Sequence, residues 1–546
     1  MKISVPGLWL CCILATLSAF GQSAGANDTT LKGSVIEVIQ AYKPKVKPAP
    51  KPLYLPQLPP ADTAHLPVKY QVPQQTLYYS YTSEPLHPLA LGKDTVLIPY
   101  PGYVKAGINY NLSTLYLDAG MGSLHFTDND DASVHVHHMS QDGSIKYQQT
   151  ALSGIEADDR MHLKDYDVHT GVYLERNQYD DYGYDHSLYD IAKDSVQHTY
   201  YSAKVVADLA NKVNAGTQWS YDPKVQFSYF GDNANVNAKE TSFNLDAPFY
   251  YKINANLQAL VRINATAATF NYGGANKQDE SFTELEPGIN YHKGLLDAHA
   301  WLGFGSGRST GYLMPDVGVG YNMKGTTMML TGGLQTTYQE NDFEQLTAQN
   351  PFIFSDFQVH PMTKTQLYVG LSGTSGAHIY YQLKAGWWSF NDMPTFLNDT
   401  LDQKQFYILY DNVTATSLQG SVRYVMNNTW SAGLAADLYK YFDGTRQYAW
   451  GQPSASVKAD FRGHPIPALI ISAYLSEVAG IYAMNMNKSV ITQNAITDIG
   501  GYGEYSFKSN LSVFLQLNNL LNNKYTYYYG YASYGVNAYA GVRLKF

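Results

Sequence analysis

The sequence predicts an all-β chain that closes into a transmembrane antiparallel β-barrel of about 22 strands, preceded by a Pro-rich extended segment. Three observations carry this reading. The last segment alternates with a period of two, Val536, Ala538, Ala540, Val542, Leu544 and Phe546 on one face and Asn537, Tyr539, Gly541, Arg543 and Lys545 on the other. One face suits lipid and the other suits water. Hydrophobic residues make up 45% of the chain, yet past the N-terminus no run approaches the ~18–20 apolar residues of a membrane helix. Tyrosine (48 residues) and glycine (44) are abundant, a pairing expected where aromatic girdles meet a lipid interface and strands bend around a wall.

Residues 1–21 read as a secretory signal, with Lys2 as the basic start, an apolar stretch through Ile13 to Phe20, and Ala19-Phe20-Gly21 at the cleavage position. Both cysteines, Cys11 and Cys12, lie inside it. The exported chain then has no thiol, which excludes disulfides, zinc-thiolate sites and cysteine nucleophiles. A net charge of −9 with sparse lysine and arginine excludes a nucleic-acid partner.

Residues 22–101 form the next unit. From Pro44 to Pro101 lie 13 of the 24 prolines, beginning with the run Lys43 to Pro52. Proline has no amide donor, so extended or polyproline II chain is the default, with a reach of roughly 180 Å at ~3.1 Å per residue. The segment reads as a periplasmic arm or as filling for a lumen.

From 102 to 546 two-faced strands repeat. In Leu257 to Thr266, Leu257, Ala259, Val261, Ile263 and Ala265 face one way and Arg262, Asn264 and Thr266 the other; Ser454 to Phe461 repeats the contrast around Lys458. Short turns such as 126–131, 293–294, 427–428 and 508–510 alternate with longer stretches at 140–159, 182–195, 342–355, 391–404 and 483–493, the asymmetry of periplasmic turns and outer loops. Counted back from Phe546, strands are expected at 535–546, 510–522, 494–507, 466–480, 447–461, 428–441, 403–425, 377–390, 356–373, 324–340, 311–322, 295–304, 281–293, 256–272, 240–252, 219–231, 196–211, 166–180, 159–165, 132–139, 114–125 and 102–110.

The stretch Phe514 to Tyr525, followed by Tyr529-Gly530-Tyr531 and the terminal strand, resembles the closing strands of TonB-dependent outer-membrane receptors. Tyr103 to Gly107, Asn350-Pro351-Phe352 and Asp392 to Asp399 resemble a subgroup of receptor-like barrels. The resemblance implies a bacterial outer-membrane location, lipid and the barrel-assembly machinery as partners, and Phe546 as the assembly signal. It also implies a folded plug of on the order of a hundred residues, and only the Pro-rich segment stands in its place, so a barrel without its own plug is expected. TonB, engaged through the short apolar run Val35 to Ile39, or another envelope protein that closes the lumen would be the further partner. A barrel this wide needs closing in any case, by infolded outer loops, by the arm or by a partner.

Arg262, Lys458, Arg543 and Lys545 are expected to face the lumen. Tyr179, Tyr182, Tyr184 and Tyr189, set among carboxylates near an outer loop, read either as an interfacial girdle or as an outer ligand patch. The run Tyr525 to Tyr529 reads as girdle, and Met328-Met329 and Trp387-Trp388 as wall. His135 and His137 share a strand face and suit a metal, but the sequence names no third ligand, so they are read as polar lumen or interface residues and no metal or cofactor is assigned. The acidic run 128–131 reads as a turn. No nucleophile elbow or zinc-protease motif is present, so no catalytic residue is assigned. Passage or docking of a ligand, or a structural part in an envelope complex, is the expected role; a surface enzyme of the outer membrane and a secreted β-protein that binds glycans are the alternatives.

Overall fold

A computed structural model of the chain describes residues 100–546 apart from 110–114, 128, 214–215, 234–236, 273–275, 309, 402, 428 and 443–447. The signal segment 1–21, the run Val35 to Ile39 and nearly all of the Pro-rich segment 22–101 lie outside the described residues.

Antiparallel strands follow one another in chain order: Gly102–Asn109, Leu115–Leu124, Asp130–Asp142, Gln149–His162, Tyr166–Asp180, Gln197–Asn211, Lys224–Asp232, Lys239–Lys252, Leu257–Tyr272, Asn276–Lys293 and Leu296–Gly307. The ring continues with Gly311–Asn322, Met329–Gln339, Met362–Ser375, Ile379–Asn398, Phe406–Val425, Trp430–Phe442, Ala455–Ile466, Leu469–Ala479, Ile496–Lys508, Leu511–Asn518 and Asn537–Lys545. Each pairs with the next, and the first pairs with the last from Tyr103↔Lys545 to Asn109↔Tyr539, which closes 22 strands into a barrel. The seventh strand is interrupted at Asp222-Pro223, where proline cannot donate to the ladder; the piece Trp219–Tyr221 still pairs with Lys239–Lys252 beside it. A separate hairpin, Tyr482–Met484 with Val490–Thr492, stands in an outer loop.

The alternation read from sequence is the alternation of the wall. Val261 and Ile263 are 42% and 41% exposed, and Arg262 between them bonds to Asp246 on the neighbouring strand. Leu367, Val369, Val542 and Leu544 are exposed in the same rhythm. A continuous apolar surface of this extent is untenable in water and is what hydrocarbon requires, so the wall sits in a bilayer and a soluble secreted protein does not fit it. Spanning takes ~9–11 tilted residues, whereas Ile379–Asn398 and Phe406–Val425 each run for 20, so these strands carry the outer mouth beyond the membrane.

Two expected loops are strand. Residues 140–159 were expected to be a long connection and 159–165 a short strand; instead Gln149–His162 pairs along its length with both neighbours. Its charged Asp158 disguised it, but that carboxylate accepts from Tyr173 Oη at 2.5 Å and meets His169 Nε2 at 2.9 Å. Likewise 391–404 was expected to be loop, yet the strand continues to Asn398. Asp392 takes a positive φ of 56°, and the register shifts between Phe390 and Met393, a bulge after which pairing resumes.

The seam is packed from inside. Gly107 and Gly541 lie opposite each other across the first and last strands, and the Phe514 ring covers both. A Cβ on Gly541 would sit 2.1 Å from the Ala106 carbonyl oxygen and 2.7 Å from the Phe514 ring. Gly541→Val should therefore lower the closed fraction of refolded barrel about tenfold, the equivalent of the roughly 1–3 kcal/mol that overpacking costs. Mobility on unheated gels reads that fraction. Gly503→Ala, whose Cβ would point into open space, should leave it unchanged.

Candidate functional site: a capped polar lumen

The long connection between Gln339 and Met362 folds inward and carries the helix Phe343–Gln349. Asp342 starts the helix by accepting from the Gln345 amide at 2.7 Å, and Glu240 on the wall accepts from the Phe343 amide at 2.7 Å. Phe343 and Leu346 are fully buried. Phe343 meets the rings of Phe230, Phe270 and Phe357 at 5.0, 5.2 and 5.8 Å. Phe352 stacks on Tyr531 at 3.6 Å, and Tyr182 meets Tyr531 edge-on at 5.0 Å. Each such ring pair adds about 0.5–1.5 kcal/mol beyond its burial.

These contacts join opposite sides of the mouth. Tyr200 Oη donates to the Pro351 carbonyl at 2.8 Å, Tyr528 Oη to the Gln349 carbonyl at 2.8 Å, and Tyr531 Oη to the Lys404 carbonyl. Gln405, before the sixteenth strand, donates to Asp181, after the fifth, at 2.9 Å, half a circuit of the ring away. A hydrophobic core thus lies across the outer mouth, built by infolded loops.

Below it, a polar chamber of about 580 Å³ is lined by Asp246, Glu284, Glu286, Asp316, Glu340 and Asp342 and, among the described residues, by two cations, Lys224 and Arg262. Arg262 holds Asp246 with two bonds, at 2.6 and 2.7 Å, and lies 3.9 Å from Glu286. His299 pairs with Asp316 at 2.9 Å. The surplus of carboxylates favours a cationic or strongly hydrogen-bonding guest. At the top of the chamber, burial pushes the Glu340 carboxyl up to about 7, with the Asp342 and Glu280 carboxylates adding to the rise. Burial raises Asp342 as well.

The sequence-derived residues distribute as follows. Arg262 lines the chamber. Lys458 is exposed on the strand face that carries Asp460, which bonds Arg423 at 2.9 Å. Arg543 approaches Glu504 at 3.5 Å and lies over the Tyr103 ring at 5.1 Å. Lys545 pairs in register with Tyr103, and Phe546 exchanges backbone bonds of 2.9 and 3.0 Å with Gly102. Neither girdle nor open patch describes the four tyrosines: Tyr182 and Tyr184 are buried, Tyr179 packs against the cap core, and Tyr189 alone is exposed, its hydroxyl donating to the Leu401 carbonyl. Tyr528 belongs to the cap core too, not to a girdle. Period two cannot distinguish an interfacial ring from one folded into a loop core. Trp387 faces out, while Trp388 donates inward to Ser417 at 2.9 Å. Asp130 accepts from the Phe126 and Thr127 amides, and so acts as a turn residue.

Sequence reasoning named infolded loops as one way to close the barrel but missed the chamber carboxylates and the residues that build the cap, whose partners are distant in the chain. For catalysis the one suggestive pair is His138 Nδ1 with Ser153 Oγ at 2.8 Å, on the lipid-facing side; among the described residues no carboxylate orients that histidine.

The fold and the site define an outer-membrane β-barrel of 22 strands with a loop-capped lumen. No family model and no curated protein matches the chain. Among solved structures it is similar to the FrpB iron transporter from Neisseria meningitidis (F3-3 variant), at TM-score 0.65 and 10% identity over 82% of this chain and 81% of that one. The copper transporter OprC follows at TM-score 0.61 and 10% identity, covering 82% and 80%. The siderophore receptor PirA from Acinetobacter baumannii gives TM-score 0.63 and 10% identity, again covering 82% and 80%. At such identities the likeness is one of fold. These neighbours bear the names of transporters and receptors, not enzymes.

Because Glu340 has a raised folded-state pKa, the folded cap binds more protons than the open chain between about 4.5 and about 7, and cap stability falls as pH rises through that window. Protease nicking within 340–361 should be equal for wild type and Glu340→Gln at pH 5. At pH 8 it should be severalfold faster for wild type.

Proposed function

We propose that the chain is a receptor-type outer-membrane barrel without its own plug, in which a ligand is held or passed beneath the loop cap. The cap laid across an acidic polar chamber is the observation that carries this reading. A purely structural wall protein has no use for a chamber with six converging carboxylates, and an unregulated pore would leave its mouth open. The named roles of the structural neighbours, an iron transporter, a copper transporter and a siderophore receptor, support ligand passage as the class of activity. The Pro-rich segment is the arm that reaches an envelope partner, TonB or another protein, and Phe546 the residue by which the assembly machinery takes up the chain. Arg262, Lys458, Arg543 and Lys545 are the lumen cations of this scheme.

Planar-bilayer conductance tests the cap. The full chain should conduct little, and deletion of 341–360 should raise conductance roughly tenfold, as an open barrel of this width requires. If deletion of 22–101 alone opens the channel, the arm and not the cap closes it. Uptake separates import from scaffolding. Deletion of residues 34–60 and collapse of the inner-membrane potential should each abolish uptake of a chamber ligand if TonB is engaged, and neither should matter for a scaffold.

A further inference from the structure

The strands Asp130–Asp142 and Gln149–His162 bring to His135 and His137, neighbours on one strand face, a third metal-ligating side chain that the sequence keeps apart from them. His135 and His137 point to the lumen side of one strand, and Glu156 is the register partner of His135 on the next. One ligand atom from each lies within 4.8 Å of the others. We propose that His135, His137 and Glu156 form a binding site for a borderline divalent cation of the Zn²⁺ type, with Asp118 as the carboxylate that orients His135. This site stands whether or not the capped lumen passes a ligand.

Four observations carry it. His135 Nδ1 lies 3.6 Å from Glu156 Oε2, close to the ~3.4 Å edge of a tetrahedron with ~2.0–2.1 Å metal bonds. The other ring nitrogen, Nε2, lies 3.3 Å from Asp118 Oδ1. With Nε2–H donated to that carboxylate, the Nδ1 lone pair is directed at the ion, the second-shell arrangement that fixes a ligating imidazole. Asp118 is itself held, by Tyr103 Oη at 2.5 Å and Tyr116 Oη at 3.2 Å. Finally, His137 lies against Gly154, where a Cβ would sit 2.3 Å from the imidazole, so only glycine leaves the ring its place.

Two imidazoles and one carboxylate suit zinc, copper(II) or nickel, whereas calcium and magnesium demand more oxygen ligands. The side chains of His135 and Glu156 are about a third exposed, at 35% and 37%, so an ion can enter from the lumen and a fourth position stays open to water. His169, one strand further on, provides the contrast. Both of its nitrogens are engaged, with Asp158 at 2.9 Å and Asp208 at 2.7 Å, and among the described residues it belongs to no ligand set.

The test uses the full chain, purified in detergent, stripped with a chelator and titrated with Zn²⁺ against a chromophoric competitor; Co²⁺ serves as a spectroscopic probe of the ligand geometry. One saturable site is expected. His137→Ala and Glu156→Gln should abolish it together with the tetrahedral Co²⁺ absorption, Asp118→Asn should weaken it by about 10–100-fold, and His169→Ala should change nothing. Gly154→Ala, which displaces His137 without removing a ligand, should weaken binding too. Unheated gel mobility confirms that each variant is closed. Zn²⁺ affinity unaltered by His137→Ala and Glu156→Gln in closed barrels would overturn the proposal, as would an equal loss with His169→Ala.

Discussion

Closure of the backbone ladder is the constraint on which everything else in this protein depends. In hydrocarbon an unpaired amide or carbonyl costs several kcal/mol, so a sheet can cross a membrane only without an edge. Here the edge is removed where Gly102–Asn109 meets Asn537–Lys545, two segments at opposite ends of the described chain. The requirement reaches into side chains. Gly107 and Gly541 leave room for the strands to approach, and Phe514 fills the resulting gap from the lumen side, while Lys105 lies over that ring at 4.3 Å and over Tyr502 at 4.7 Å. Seam and lumen wall are thus packed by the same residues.

A wall solved in this way leaves its interior to polar chemistry. Every inward position is relieved of contact with lipid, so carboxylates and cations can be placed there with partners on adjacent strands, as with Arg262 and Asp246 or His299 and Asp316. The Arg262–Asp246 pair is part exposed, at 37% and 42%, and contributes modestly to stability, on the order of 1 kcal/mol or less; Asp316 is buried against His299. Their value lies in the field they set inside the chamber. The cap obeys the opposite logic. Its loops leave the membrane, meet across the mouth and bury aromatic rings, so they fold much as a small soluble core does. The chamber is therefore bounded by two kinds of order, a wall held by backbone hydrogen bonds and a cap held by a side-chain core. Raised carboxyls at the junction, Glu340 and Asp342, tie the stability of the cap to pH.

The strand count, the closed barrel and the choice of which face meets lipid were legible because they follow from a local period of two. Val261-Arg262-Ile263 and Val542-Arg543-Leu544 state their orientation within three residues. The misread elements are those where locality fails. Asp158 in Gln149–His162 looked like loop chemistry because its partners, Tyr173 and His169, come from the next strand. The tyrosines near residues 180 and 528 looked interfacial because nothing nearby in sequence announces that they share one core with Phe352, whose own segment comes from a third part of the chain.

By itself, then, the sequence determined a transmembrane barrel and its approximate strand number, since alternation is a property of neighbours along the chain. The tertiary structure alone decided what closes the mouth, which carboxylates converge beneath it, and that Glu156 lies opposite His135. Those facts depend on the register between strands and on loops meeting across the ring, and register is fixed by hydrogen-bonded partners that a linear pattern does not specify.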